Sequence, residues 1–203
     1  MRRLRPLLLT LLAAPVLGVA VDSLASDPEI LYAKESTPLF AVQKGQILGQ
    51  ITPGTALTVK SKAGGRVQVE LEGWAEEYRE LELFAKKEVR IEVASLVRAN
   101  KKNLTEIGTE AGRYDSVWKK VKLTGWVDAR RLDKKLDNVW KAARDIHSER
   151  CTECHDFMPS SELTAQQWSG VLRIMTHRAA LTPEEAVLLK QYLQTHAREK
   201  AAE

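Results

Sequence analysis

The chain has 203 residues, with 31 Lys plus Arg against 27 Asp plus Glu and a formal charge of +4 at neutral pH. That length allows two small domains or three modules, each burying a modest core. Arg2, Arg3 and Arg5 supply most of the excess charge, and with residues 1–25 set aside the balance is 28 basic to 26 acidic, so the basic pI says little about nucleic acid and no nucleic-acid partner is expected.

Residues 1–6 are basic, and residues 7–21 form an apolar run of about 15 residues, short of the roughly 20 that a membrane span needs. Ser23-Leu24-Ala25 places small residues one apart ahead of Ser26, as at a signal-peptidase cut. Residues 1–25 are therefore expected to be a signal peptide for the periplasm. Retention as an inner-membrane anchor is the alternative, and membrane contact is expected only in that case. Arg2-Arg3 lacks the rest of a twin-arginine pattern, so the general secretion route is expected.

Residues 27–133 read as strands and turns. Thr55-Ala-Leu-Thr-Val59 and Arg66-Val-Gln-Val-Glu-Leu71 alternate around Gly64-Gly65, a hairpin signal, and Gly73-Trp74 is expected to end the second strand. Val117-Trp-Lys-Lys-Val-Lys-Leu123 alternates likewise and reaches Gly125-Trp126. Leu39-Phe40-Ala41 recurs as Leu83-Phe84-Ala85, and Glu70-Leu-Glu-Gly-Trp74 as Lys122-Leu-Thr-Gly-Trp126. These correspondences indicate a duplication with a polar insert in the second copy. The pattern, clearest in Ile51-Thr-Pro-Gly-Thr-Ala-Leu-Thr-Val59, resembles bacterial SH3-like barrels, so two SH3-like units are expected, 27–82 and 83–133. Each would bury its tryptophan, Trp74 or Trp126, in a small core. No acid, base or nucleophile constellation occurs here, which leaves spacer, docking surface or cell-wall binding as roles.

From residue 134 the apolar period becomes helical. Leu136, Val139, Trp140, Ala143, Ile146 and His147 make one stripe that runs into Cys151-Thr152-Glu153-Cys154-His155. Cys-x-x-Cys-His is the attachment sequence for a c-type haem, and it uses both cysteines of the chain. The two thiols can each add across a haem vinyl group, and His155 then reaches the iron. Export agrees with this, because such attachment takes place outside the bacterial inner membrane. The His spacing does not suit a zinc finger.

Thr164-Ala-Gln-Gln167 and Thr182-Pro-Glu-Glu185 are capping boxes that start two further helices. The first carries Trp168, Val171, Leu172 and Met175 on one stripe; the second carries Leu188, Leu189, Tyr192 and Leu193, with His196 near its end. The expected fold class is thus α+β: two SH3-like small β-barrel units followed by a mainly α-helical cytochrome c domain at 134–198, then a tail at 199–203. For the second iron ligand, Met158 is too close to His155 to cross the haem. His147 suits the core and His196 a helix end. Met175, some 20 residues beyond His155, is the preferred ligand, with His177 the competitor. His/Met ligation would raise the reduction potential relative to two histidines. Trp168 is expected against the haem, and the Pro159 carbonyl, by analogy with cytochromes c, as acceptor for the second N–H of His155.

His147-Ser-Glu-Arg-Cys-Thr-Glu-Cys-His155, Pro159, Leu-Thr-Ala-Gln-Gln-Trp168, Met175 and Leu-Thr-Pro-Glu-Glu-Ala186 through Gln-Tyr-Leu-Gln-Thr-His196 together resemble one domain. It is the C-terminal monohaem domain of the pentahaem cytochromes that serve periplasmic trimethylamine N-oxide reductases. The resemblance covers 134–198 well and 27–133 less specifically, and the family's tetrahaem region has no counterpart here. It implies a non-enzymatic electron carrier of anaerobic respiration, with one covalent haem c, passing single electrons to a periplasmic molybdenum N-oxide or S-oxide reductase. An upstream donor, a multihaem or membrane cytochrome, would then be required. The alternative is a haem-containing regulatory or maturation partner of such a reductase.

Overall fold

The computed structural model describes residues 27–97 and 103–199. The expected signal peptide lies outside them, as do residues 98–102 of the insert and 200–203 of the tail. The strands are β1 (Ile30–Ala33), β2 (Thr37–Phe40), β3 (Ile47–Ile51), β4 (Ala56–Ala63), β5 (Arg66–Glu76), β6 (Glu82–Lys86), β7 (Val89–Leu96), β8 (Leu104–Ala111), β9 (Val117–Asp128) and β10 (Leu132–Asp133). They form one antiparallel sheet in the order β10-β1-β4-β5-β6-β7-β3-β2-β9-β8, and β5 also pairs with β9. The links β5-β6-β7-β3-β2-β9 therefore return to β5, closing six strands into a barrel.

This corrects the expected fold class. The molecule is mostly antiparallel β, with 41% strand against 30% helix, and the strands belong to one continuous sheet instead of two SH3-like barrels. The reason lies in how the copies meet. Gly73-Trp74 and Gly125-Trp126 do not end their strands; β5 and β9 run through them and pair from Arg66↔Asp128 to Glu76↔Trp118. Leu71 faces Leu123, while Val69 faces Gly125 and Gly73 faces Val121. The duplicated segments are thus related by a local two-fold axis through the Leu71–Leu123 pair.

The copies also interlock. Phe40 of the first pairs with Trp126 of the second, and Phe84 of the second pairs with Trp74 of the first. The two glycines make this crossing possible. A Cβ on Gly125 would lie 2.6 Å from Leu39 Cδ1 and 2.9 Å from the Phe40 carbonyl oxygen, and one on Gly73 would lie 3.3 Å from both Leu83 Cβ and the Phe84 carbonyl oxygen. Gly73 and Gly125 are accordingly buried, while Trp74 and Trp126 are only half-buried. Alternation puts the small residue inside and its neighbour outside. The barrel core comprises Leu39, Leu48, Ile51, Val69, Leu71, Leu83, Ala94, Val121, Leu123 and Val127, with others around them. Gly64 (φ +56) and Gly65 (φ +78) make the expected β4–β5 hairpin, since both central positions of such a turn need positive φ. The polar insert is a strand too: β8 pairs along β9 from Leu104↔Leu123 to Ala111↔Val117.

Three helices follow: α1 (Leu136–Glu149), α2 (Ala165–Arg178) and α3 (Pro183–Thr195). Both capping boxes form, Thr164 with Gln167 and Thr182 with Glu185. α1 buries Val139, Trp140, Ala143 and His147. Trp140 seats the helices on the barrel. Its ring lies where a Cβ on Gly54 (φ +78) would be, 2.0 Å away, and it packs with Tyr32, Leu188 and Tyr192. On the far side Gln194, fully buried, donates to the Ala165 carbonyl (3.0 Å), Ser169 Oγ (2.9 Å) and the Arg90 carbonyl of β7 (3.4 Å).

Candidate haem-attachment site

The attachment sequence is the continuation of α1. Arg150 caps that helix, its N–H bonded to the Ile146 carbonyl at 3.0 Å. Thr152 Oγ1 donates back to the carbonyls of Ser148 (2.6 Å) and Glu149 (3.2 Å), which winds residues 151–155 into a turn. Arg150 Nη2 reaches the carbonyls of Ala179 (2.6 Å) and Ala180 (3.2 Å). One side chain therefore ties the start of the motif to the end of α2, the helix that carries Met175.

Neither thiol is in a disulfide; Cys151 is half-buried and Cys154 exposed. Burial pushes the Cys151 thiol up from its ordinary pKa, because a thiolate is poorly solvated against the apolar cluster it touches. That cluster is Trp168, Leu172, Leu189 and Leu193, with Met158 and Tyr192 packed on it. Trp168 is 3% exposed and donates its indole N–H to the Ser160 carbonyl at 2.7 Å.

His155 is exposed, and its Nδ1 lies 2.7 Å from the Asp156 carbonyl oxygen. With the proton on Nδ1 this is a hydrogen bond, and the Nε2 lone pair is left for a metal. The Pro159 carbonyl, the acceptor expected from sequence, takes the Glu162 N–H at 2.9 Å.

His147 is buried at 4% exposure, its ring 4.8 Å from Phe157, 6.1 Å from Trp168 and 6.4 Å from Tyr192. Burial lowers its pKa; a hydrogen bond with the Met158 backbone opposes this and nearby His155 adds to it. His147 is thus placed in the core. Met175 is half-buried on α2 and is not among the residues packed in the Trp168 cluster; His177, the penultimate residue of α2, is exposed. His196 is exposed, bonded through Nδ1 to the Tyr192 carbonyl at 2.7 Å and edge-on to Trp140. Among the described residues no group of three or more His, Cys, Asp or Glu converges to hold a free metal ion.

These residues fit a haem c. Two unpaired thiols stand with two residues between them, the adjoining imidazole has one nitrogen occupied and one available, and Phe157, 53% exposed, leaves an apolar ring beside them. The sequence reading did not single out Arg150 or Phe157. Arg150 adjoins the motif, but its carbonyl partners lie about 30 residues away and leave no local signal.

A family model described as the TorC third cytochrome c domain matches residues 25–132. Cytochrome c-type protein TorC of Escherichia coli (strain K12) is 27% identical over 180 residues, covering 85% of this chain and 45% of that protein. Cytochrome c-type protein TorY of Escherichia coli O157:H7 is 28% identical over 154 residues, covering 75% of this chain and 42% of that protein. TorY of Haemophilus influenzae is 25% identical over 140 residues, covering 68% and 38%. The chain spans less than half the length of these relatives, and no solved structure matches it. The residues matched by the family model are those of the barrel, the part that sequence reading found less specific.

Proposed function

The chain belongs to the TorC family of c-type cytochromes, and from that premise we propose that it is a monohaem electron carrier delivering single electrons to a molybdenum N-oxide or S-oxide reductase. The observation that carries this is the Cys151–His155 turn, with two unpaired thiols and an imidazole whose Nδ1 is already engaged. The haem-bearing part is 134–198 and acts in the periplasm; among the described residues no helix is long and apolar enough to cross a membrane.

Cys151 and Cys154 would hold the group by thioether bonds, each S–H adding across one vinyl group. His155, through Nε2, and Met175 would be the residues that ligate its iron. When bound, the haem supplies a reversible one-electron change between ferric and ferrous iron. The Asp156 carbonyl keeps the proton on Nδ1 of His155 and fixes the ring plane. Trp168 and His147, both buried, with Phe157 against the His147 ring, would give the group an apolar wall. Arg150 holds the α2 end, and with it Met175, at a set distance from the motif.

The test is made on the exported protein. It should keep haem stain on a denaturing gel, show a weak far-red ferric band from methionine sulfur, and be reoxidised by a trimethylamine N-oxide reductase with its substrate present. A high-spin ferric spectrum that responds to cyanide would refute a closed, electron-transferring iron.

A further inference from the structure

Of the described helices, α2 alone has no carboxylate. Its outer face, opposite Trp168 and Leu172, presents Gln166, Gly170, Arg173, Ile174 and His177, with Arg178 at its edge, all exposed. Neither guanidinium makes an ion pair or side-chain hydrogen bond with another described residue. By contrast Arg144 of α1 pairs with Asp137 at 2.8 Å, and Arg150 is held by carbonyls. Ile174 is 53% exposed. Gly170 stands in mid-helix with nothing within 4 Å of where a Cβ would lie. A helical glycine costs stability relative to alanine, and no neighbour among the described residues explains this one. It leaves room for a foreign backbone.

At its N-terminal end the same face enters a recess of about 390 Å³ shared with the barrel, where Gln166 lies alongside Tyr114, Trp118 and two ion pairs, Arg90–Glu76 (3.0 Å) and Arg113–Glu88 (3.0 Å). Tyr114 is 98% exposed and left-handed (φ +56), as is Asp115 after it, a strained arrangement for side chains with a Cβ. The two-fold-related turn is the tight Gly64-Gly65 hairpin; the β8–β9 turn has lengthened to 112–116 and placed a tyrosine at its tip. The duplicated copies have thus diverged at the pole that α2 approaches.

We propose that the outer face of α2 and the β8–β9 turn form one docking strip for an acidic surface of a protein partner. Arg173 and Arg178 steer the approach, Ile174 and Tyr114 are the buried anchors, and Gly170 is the point of closest contact. The strip deepens the carrier reading, on which it rests: α2 carries Met175 on its other side, so an acceptor docked here would lie one helix away from the haem.

Two measurements test it on the full holoprotein. The first maps hexaglutamate binding by amide chemical shifts in the ferrous state. Shifts concentrated on α2 and residues 112–116 support the strip; shifts spread evenly, or centred on Lys44 at the opposite pole, overturn it whatever the carrier does. The second follows oxidation by a trimethylamine N-oxide reductase. Arg173→Glu with Arg178→Glu should slow the second-order rate about tenfold at low salt, with the difference vanishing at high salt. Tyr114→Ala should slow it severalfold, and Lys44→Glu should leave it unchanged. Equal rates for all variants overturn the strip while the carrier reading stands. No transfer by the unaltered protein, with hexaglutamate still mapping to α2, removes the carrier reading and keeps the strip as a site for another acidic partner.

Discussion

The barrel and the helices solve the same packing problem with unequal means. The barrel has a closed ring of strands, two interlocked copies of one segment and a core that runs continuously from Leu31 to Leu132. The helical part has two small clusters: Trp168, Leu172, Leu189 and Leu193 in one, Val139, Trp140 and Ala143 in the other. The second of these is shared with Tyr32 and seated on Gly54 of the barrel. Small cores are marginal on their own. The barrel therefore stands unaided, whereas the helices lean on it from one side and, in the carrier we propose, on the haem from the other.

The sharpest way to separate the two is to remove the haem. Replacing Cys151 and Cys154 by Ala should abolish covalent haem altogether, seen as loss of stain on a denaturing gel. Amide exchange should then rise throughout α1 to α3 while β5 and β9 stay protected; equal loss in both regions would end the contrast. Next in size is Leu123→Ala at the centre of the barrel, fully buried opposite Leu71. It should cost roughly 2–5 kcal/mol in urea unfolding, as other large-to-small core changes do.

Gly125→Ala should cost about 1–3 kcal/mol, because its Cβ meets Leu39 and the Phe40 backbone below 3 Å. Gly73→Ala, with contacts at 3.3 Å, should cost less. That ordering tests whether the two crossings have diverged. Thr182→Ala removes the α3 capping box and should cost about 1 kcal/mol, read as a lower melting temperature of the helical part alone.

The smallest effect is acid sensitivity of the barrel. Hydrogen bonds from Lys120 to Glu72, the Arg113 N–H to Glu88, Arg130 to Asp128 and the Lys135 N–H to Asp133 hold these carboxyls below their ordinary values of 4.5 and 3.8. A depressed folded pKa means the unfolded chain binds protons first. These contributions are whole above about pH 4.5 and fade as pH falls through the folded values. Circular dichroism of the barrel against pH, at low and high salt, would show a loss that begins only below that range.

The signals for the proposed site are local. Cys-x-x-Cys-His is contiguous, and both capping boxes span four residues, so their chemistry could be read without knowing the fold. The barrel was misjudged because its decisive contacts are long-range. Leu-Phe-Ala and Gly-Trp marked the duplication, but nothing in either copy says that Phe40 will lie on Trp126 and Phe84 on Trp74. Two segments of like sequence fit each other's partners as well as their own. Swapped and unswapped pairing therefore carry the same local signature. Trp74 and Trp126 were assigned to the interior by size, when the adjoining glycines were the residues the crossing required.

A protease would meet the interlock in another form. Tyr78, 94% exposed at φ +68 in the β5–β6 turn, lies on the connection between the first copy and the second. Cleavage there severs the chain, yet β2 stays on β9, β6 on β5 and β3 on β7. The two pieces would migrate apart under denaturing conditions and together otherwise. Topologically, the barrel is a symmetric dimer written as a single chain.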